Sequence, residues 1–202
     1  MAVISIKNKV KSGSLLAGNA YYVPPSFESI ATVTVGAGGA SSINFTSIPS
    51  TYKHLQIRGL ARENIGGGTT GVPLLVSFNG DTGNNYTYHR LIGDGSTASA
   101  GGGATGSFGG CFINYASVGS SVTASVFGAS IMDIADYAST TKNKTFRAIA
   151  GAEANTGTTS FALTLMSSLW TNTAAITSIS ITDYNARDFA QNSTFALYGI
   201  KG

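Results

Sequence analysis

The chain has 202 residues, of which 43% are hydrophobic, 10% are charged and 26 are glycine. This composition excludes intrinsic disorder, which needs few apolar residues and many charges. The single cysteine excludes an intrachain disulfide framework and a cysteine-based zinc site. The net charge of +3 lies in the first eleven residues, because residues 26–202 hold nine basic and nine acidic residues. The body has no basic patch that would indicate nucleic-acid binding. The sequence also has no run of about 20 apolar residues, which a membrane-spanning helix would need.

Residues 1–25 differ in pattern from the rest of the chain. Aliphatic residues and lysines alternate there: Ile4, Ile6 and Val10 on one face, and Lys7, Lys9 and Lys11 on the other. This alternation predicts an amphipathic strand, and Pro24-Pro25 favours stiff polyproline geometry after it. We therefore predict an extended N-terminal docking arm, residues 1–25, that pairs with the sheet edge of a partner. The alternative is an edge strand that folds back onto its own domain.

From residue 26 onwards, short apolar segments alternate with glycine-containing turns. The segments that we predict as strands are 30–35, 42–45, 52–60, 72–78, 86–92, 111–115, 122–134, 146–150, 161–166, 176–181 and 194–200. No convincing amphipathic helix pattern occurs between them. The pattern therefore predicts an all-β domain over residues 26–202, an antiparallel β-sandwich of jelly-roll-like form.

Three local signals refine this prediction. The last segment is apolar on both faces, with Phe195 and Leu197 on one side, which predicts a strand inside a sheet that is covered on both faces. Asn79-Gly80 predicts a tight hairpin turn. The glycine-rich segment 101–110 predicts a mobile surface loop.

No arrangement of residues is typical of a catalytic centre or a metal site. Asp81 and its neighbours alternate like the start of a calcium loop, but the distal glutamate that such loops require is missing. A glycosidase needs two facing carboxylates, which the sequence does not place. Cys111 is interpreted as a small buried hydrophobe. We therefore predict no enzymatic activity, no cofactor and no metal.

Aromatic residues offer the one candidate for ligand contact. Tyr86, Tyr88 and Arg90 share a face of one predicted strand, and Trp170 stands in a polar context. Aromatic rings of this kind stack on sugars, which gives one interpretation, a glycan contact. The other interpretation is a cross-strand ladder together with a core tryptophan. Both remain open from the sequence.

Five segments, 4–16, 47–58, 78–81, 169–179 and 195–202, carry a family resemblance, and the last of them reads FALYGIKG. They resemble a group of small virion proteins of tailed bacteriophages, common in phages of cyanobacteria and marine bacteria. The resemblance implies a structural protein with a β-sandwich fold. Members resemble trimeric cement proteins on capsids and the distal sandwiches of tail spikes and fibres. No catalytic motif comes with it.

The basic strand at the start of a short chain favours the capsid over the tail. We expect a homotrimeric decoration protein on the outer surface of the head, in which residues 1–25 dock on the major capsid protein. The alternative is a tail-fibre or tail-spike tip, or another adhesin module, that binds host surface glycans. In that case Tyr86, Tyr88, Arg90 or Trp170 is expected to contact the sugar.

Overall fold

The computed structural model describes residues 26–64, 71–106, 109–153 and 161–202, and the backbone of two short strands, β1 (Leu15–Leu16) and β2 (Ala20–Tyr21). β1 and β2 pair with each other in antiparallel orientation. The six residues predicted to form the contact faces of the docking arm lie outside the described residues: Ile4, Ile6, Lys7, Lys9, Val10 and Lys11.

The described residues from 26 onwards are all-β. The strands are β3 (Phe27–Thr34), β4 (Ser42–Phe45), β5 (His54–Ala61), β6 (Gly71–Phe78), β7 (Tyr86–Gly93), β8 (Ala98–Ala104), β9 (Cys111–Val118), β10 (Gly128–Ile134), β11 (Lys144–Gly151), β12 (Leu163–Trp170), β13 (Ile179–Asp183) and β14 (Thr194–Ile200). They form an eight-stranded sheet of order β3-β14-β5-β10-β11-β12-β7-β8 and a four-stranded sheet of order β4-β13-β6-β9. All described strand pairs are antiparallel. The predicted all-β sandwich is confirmed.

Alternation along the strands builds the core between the two sheets. In β11, Phe146, Ala148 and Ala150 are buried, whereas the side chains between them are exposed. This period of two is what a sheet with one covered face requires. The inner face of the larger sheet is crossed by β9, which packs against β5, β10, β11, β12 and β7. The opposite side of the larger sheet, called the outer face below, has no second layer over it among the described residues.

The closing strand lies inside the larger sheet, as its sequence predicts. β14 pairs with β3 on one side and with β5 on the other. Phe195 and Leu197 point into the core and are buried. The other face of β14, with Ala196, Tyr198 and Ile200, is only half-buried. The expected covering of both faces is therefore complete on the inner side alone.

The Asn79-Gly80 turn is present, but the predicted hairpin is wrong. Asn79 and Gly80 have φ values of 53° and 69°, the positive pair that a type I′ turn requires. However, β6 belongs to the smaller sheet and β7 to the larger one. The carboxylate of Asp81 accepts hydrogen bonds from the Gly83 amide at 2.9 Å and from Trp170 Nε1 at 2.8 Å. These bonds attach the loop to the end of β12, so the chain passes to the other sheet.

The predicted mobile loop at 101–110 is in part a strand. β8 includes residues 101–104 and pairs with β7, with Ala100 opposite Leu91. Glycine has low strand propensity because it has no side chain to pack, and its density here hides the strand in the sequence. β8 is an edge strand of the larger sheet.

The predicted strand 122–134 is shorter than its apolar pattern indicates. β10 begins at Gly128, because the preceding residues wrap around the guanidinium group of Arg62. Its Nη1 and Nη2 atoms donate to four backbone carbonyls at 2.6–3.0 Å, those of Ser120, Val122, Thr123 and Val126. A single arginine thus satisfies carbonyl groups that a strand would have paired with a neighbour.

Candidate interaction surface

Two of the residues predicted to contact a glycan are part of the core. Tyr86 and Trp170 are 0% and 1% exposed, and their rings stack at 6.3 Å between centroids. The Tyr86 hydroxyl donates to the Asp81 carbonyl at 3.0 Å and accepts from the Phe78 amide at 2.9 Å. Neither ring has a face open to a sugar. The core interpretation therefore applies to both, and the predicted glycan contact is corrected for them.

Tyr88 and Arg90 lie farther along β7, where they are half-buried at the side of the sandwich. The Arg90 guanidinium carbon lies 5.8 Å from the centroid of the Tyr88 ring. The Tyr88 ring meets Phe112 at 5.7 Å, and Phe112 meets Tyr184 at 5.3 Å, both edge to face. Edge-to-face contacts use ring faces inside the protein. This aromatic row therefore forms a ladder rather than a flat platform.

The outer face of the larger sheet carries an unusual set of exposed apolar side chains. Six of them are between 39% and 59% exposed and form the apolar stripe: Leu60, Leu91, Ile131, Ile149, Leu163 and Leu165. Four stand directly side by side on neighbouring strands, because Ile131 pairs with Ile149, Ile149 with Leu165, and Leu165 with Leu91. They form one continuous row across β10, β11, β12 and β7.

The size of the apolar stripe makes it a feature that needs an explanation. Single exposed leucines are ordinary on protein surfaces, but contiguous apolar patches mark contact sites. The exposure of the six side chains adds up to about three fully exposed residues. Covering an exposed leucine or isoleucine contributes about 1.5–3 kcal/mol. Covering the apolar stripe is thus worth roughly 5–9 kcal/mol before the cost of association.

A row of polar groups borders the apolar stripe. Asp133, Arg147, Ser167 and His89 stand side by side in register on β10, β11, β12 and β7. Asp133 Oδ1 accepts a hydrogen bond from Gln56 Nε2 at 2.7 Å. Charged and polar groups beside an apolar centre are the usual composition of a protein–protein contact.

The polar border is fixed at its β5 end. Arg58 Nε donates to Gln56 Oε1 at 2.9 Å. The Arg58 guanidinium carbon lies 5.3 Å from the ring centroids of both Phe27 and Tyr198. These cation–π contacts hold the arginine in place, so this part of the outer face is formed before any partner binds.

The outer face is grooved rather than flat. A hollow of about 740 Å³ lies between β11, β12, β7 and β8 and is lined in part by His89, Leu91 and Leu165. A second hollow, of about 300 Å³, lies over Gly59 and Ala129. Small residues leave hollows beside the larger residues of the apolar stripe. The surface therefore has both ridges and recesses.

None of the six residues of the apolar stripe is predicted as a contact residue from the sequence. In β12, Thr164 and Ser168 point inward and are buried, whereas Leu163 and Leu165 point to solvent. Hydropathy alone would orient this strand the other way. Met166 and Trp170 alternate with the two leucines and take the inner face. Large apolar residues at both odd and even positions of one strand are the sequence signal that could have indicated the apolar stripe.

The titratable side chains of the described residues do not assemble a catalytic pair of thiol and imidazole. Cys111 Sγ donates to Ser168 Oγ at 3.0 Å, and burial raises the pKa of the thiol to about 11. His54 Nδ1 instead accepts from the Asp136 amide at 3.0 Å. The pKa of Asp136 is lowered to about 2, first by its hydrogen bond from Lys142 and then by that from Lys53. The thiol therefore makes a core contact, and the imidazole makes a contact near the surface.

Two carboxylates are buried at the end of the sandwich where Glu63 meets Asp183. Glu63 is paired with Arg187, whose Nη1 lies 3.1 and 3.0 Å from its two oxygens. Asp183 Oδ1 accepts from the Asn185 amide at 2.7 Å, whereas its Oδ2 has no hydrogen-bond partner among the described residues. Burial, followed by the nearby charge of Glu63, raises the pKa of Asp183 to about 6. Arg187 thus neutralises Glu63, while burial leaves the charged form of Asp183 unfavourable.

Asp183→Asn is expected to stabilise the protein at pH 8 by about 2 kcal/mol, because an amide carries no charge to desolvate. The folded chain holds the Asp183 proton more tightly than the unfolded chain, so its stability should fall as pH rises from about 4 to 6. Asp183→Asn should flatten that slope and raise the melting temperature at pH 8 by roughly 4–8 °C. Calorimetry at pH 4, 5, 6 and 8 measures both effects.

Asp188→Asn, an exchange of the same kind at an exposed carboxylate, is the control and should leave the melting temperature within about 2 °C. A lower melting temperature for Asp183→Asn at pH 8 would contradict the argument, because it would show that the folded chain needs the charged carboxylate.

No protein-family model, curated protein or solved structure matches the chain. Within the described ranges, no three side chains of His, Cys, Asp or Glu are grouped so as to hold a metal ion. The same ranges contain no helix long and apolar enough to cross a membrane. The role of the protein is therefore argued from its own sequence and geometry.

Proposed function

We propose that this protein is a non-enzymatic structural protein of a bacteriophage virion, a decoration protein that docks on the outer surface of the head and reinforces the shell. The observation that carries the proposal is that the excess positive charge lies in the first eleven residues, outside the β-sheet body. The lysines of residues 1–11 hold the whole charge excess, and they precede an all-β body whose first sheet strand, β3, is an edge strand. Residues 1–25 thus join the body at the border of its larger sheet.

The docking arm acts by adding a strand to an edge of the major capsid protein. About eight residues with three aliphatic anchors give modest affinity on their own. Several arms held by one oligomer bind far more tightly, because each bound arm raises the effective concentration of the others. The resemblance implies a homotrimer, whereas the outer face of the larger sheet favours a pair, as argued below; the mass of the chain in solution decides between the two.

A tail-fibre or tail-spike tip that binds host glycans is the second candidate. It is favoured by the side of the sandwich where Arg90 lies over Tyr88 and Tyr184 is 38% exposed. Glycan-array binding that Tyr184→Ala and Arg90→Ala abolish would support this candidate. Full attachment to heads by the same two variants would support the decoration role.

Deletion of residues 1–11 should abolish attachment to phage heads and leave the body folded, because the buried core residues among those described all lie at position 35 or later. The measurement is co-sedimentation of the purified chain with heads that lack it. A variant with Lys7, Lys9 and Lys11 all changed to Gln keeps the aliphatic face and should bind more weakly. Retained attachment of the deleted chain would contradict the docking arm.

Cryo-electron microscopy of the virion tests the location directly. The proposal expects density for the two-sheet body on the outer surface of the head, with a thin connection to the major capsid protein. Density at the tail would favour the second candidate instead. Absence of the chain from purified particles would overturn both.

A further inference from the structure

We propose that the outer face of the larger sheet joins two copies of this chain about a two-fold axis. The axis runs parallel to the strands and passes between β11 and β12. The proposal goes beyond the proposed function, because it concerns the contact between copies and holds whether or not the protein attaches to a head.

The order of the strands makes such a pairing geometrically simple. Six neighbouring strands of the sheet follow the order β5-β10-β11-β12-β7-β8, and their midpoint lies between β11 and β12. A two-fold axis at that midpoint places β11 over the partner's β12, β10 over the partner's β7, and β5 over the partner's β8. Residues in the same transverse row then face each other, and every contact occurs twice.

The central row pairs apolar residues with apolar residues. Ile131, Ile149, Leu165 and Leu91 are in register across four strands. The axis sets Ile149 against the partner's Leu165 and Ile131 against the partner's Leu91. The four most central exposed aliphatic side chains of each copy are covered in this way.

The next row pairs large residues with small ones. Leu163 is in register with Gly151, and Leu60 with Ala129. The axis sets Leu163 against the partner's Gly151, and Leu60 against the partner's Ala98. A leucine ridge thus meets a hollow left by a glycine or an alanine, which is the shape complementarity that contact cores require.

The third row pairs groups by charge and hydrogen bonding. Asp133 meets the partner's His89, and Arg147 meets the partner's Ser167. A carboxylate opposite an imidazole and a guanidinium opposite a hydroxyl are both favourable pairs. Neither pairing sets two like charges against each other.

The composition of β8 has an explanation in this arrangement. Its exposed outer positions are all small: Ala98, Ala100, Gly102 and Ala104. The axis brings the partner's β5 over them, and the outer positions of β5 are large, with Gln56, Arg58 and Leu60. Bulky residues on β8 would collide with that strand.

The area is adequate for a stable pair. Six strands spaced by about 4.8 Å and seven residues rising by about 3.3 Å each give a face of roughly 29 by 23 Å. The planar area is thus about 650 Å² before side-chain relief is added, close to the roughly 800 Å² per partner of a standard interface.

A second copy fits this face better than the docking arm does. The charged groups of the outer face include two arginines, Arg58 beside Ile131 and Arg147 beside Asp133. Asp133 is the acid in these two rows. The three lysines of the arm would meet like charges there. A three-fold arrangement would instead place the outer face against a different surface of the next copy. The facing pairs described above would then not form.

The test starts with the mass of the full chain in solution, by sedimentation equilibrium. We expect about twice the chain mass of 20.6 kDa. Leu165→Lys, at an exposed position, should weaken the association at least about 100-fold and give single chains. Thr32→Lys, at an exposed position of β3 and outside the six paired strands, should leave the pair intact. Circular dichroism should be unchanged in both variants. The melting temperature should be unchanged in Thr32→Lys and lower in Leu165→Lys, because association stabilises the folded chain.

A charge exchange tests the register of the pairing. Asp133→Lys alone should weaken the association, because the lysine would face the partner's His89. Adding His89→Asp to the same chain should restore it, because each lysine then faces an aspartate. The proposal would be overturned by single chains or by three copies in the unmodified protein. It would equally be overturned by a pair that survives Leu165→Lys, or by a double variant that stays dissociated.

Discussion

Leu197→Asp should prevent the chain from folding. Leu197 is 0% exposed on β14, and β14 is held between β3 and β5. Removing a buried leucine side chain costs about 2–5 kcal/mol, and an unpaired carboxylate in the same place adds several kcal/mol more. Their sum reaches the 5–15 kcal/mol that usually separates folded from unfolded domains.

The measurement is the yield of soluble chain, followed by circular dichroism and urea unfolding. Leu197→Met keeps the volume and should cost less than about 1.5 kcal/mol. Thr32→Asp places the same carboxylate on the exposed side of the neighbouring strand and should fold normally. A folded Leu197→Asp chain would show that β14 is not an internal strand of the sheet.

Trp170→Ala should lower stability by about 3–5 kcal/mol. The ring contacts Phe78 at 5.5 Å and Tyr86 at 6.3 Å between centroids. Its Nε1 also donates to Asp81, the residue that holds the loop between β6 and β7. The variant therefore opens a cavity in the core and releases the loop. At about 2–4 °C per kcal/mol, the melting temperature should fall by roughly 6–20 °C.

Trp170→Phe separates the two effects. It fills most of the cavity but lacks the donor to Asp81, so it should retain part of the stability. Tyr184→Ala, at a 38% exposed ring, is the matched control and should cost about 1 kcal/mol or less. Unchanged stability of Trp170→Ala would contradict the core position of the ring and would favour the interpretation of Trp170 as a sugar contact.

In the proposed function, the pairing through the outer face and the docking arm both contribute to attachment of the protein to the head. Two copies joined through their larger sheets carry two arms, and attachment through both arms is tighter than attachment through one. The arm experiment and the mass experiment are nonetheless independent. Deletion of residues 1–11 should leave two chains in the pair, and Leu165→Lys should leave the sequence of each arm unchanged.

The sequence alone determined the class of the fold. Alternation with a period of two marks strands such as β11, where Phe146 and Ala148 face inward, and strand propensity together with turn residues acts over a few neighbours. The internal position of the closing strand was predicted for the same local reason. The Asn79-Gly80 turn was also predicted, because positive φ is a property of those residues.

Tertiary structure alone decided which faces meet solvent and where the chain changes sheets. Trp170 and Met166 take the core side of β12 and turn Leu163 and Leu165 outward, and no local pattern distinguishes the two orientations. Asp81 and Arg62 redirect the chain through hydrogen bonds to residues far away in sequence. The apolar stripe likewise exists only once five strands are in register, because it is made by long-range pairing rather than by neighbours in the chain.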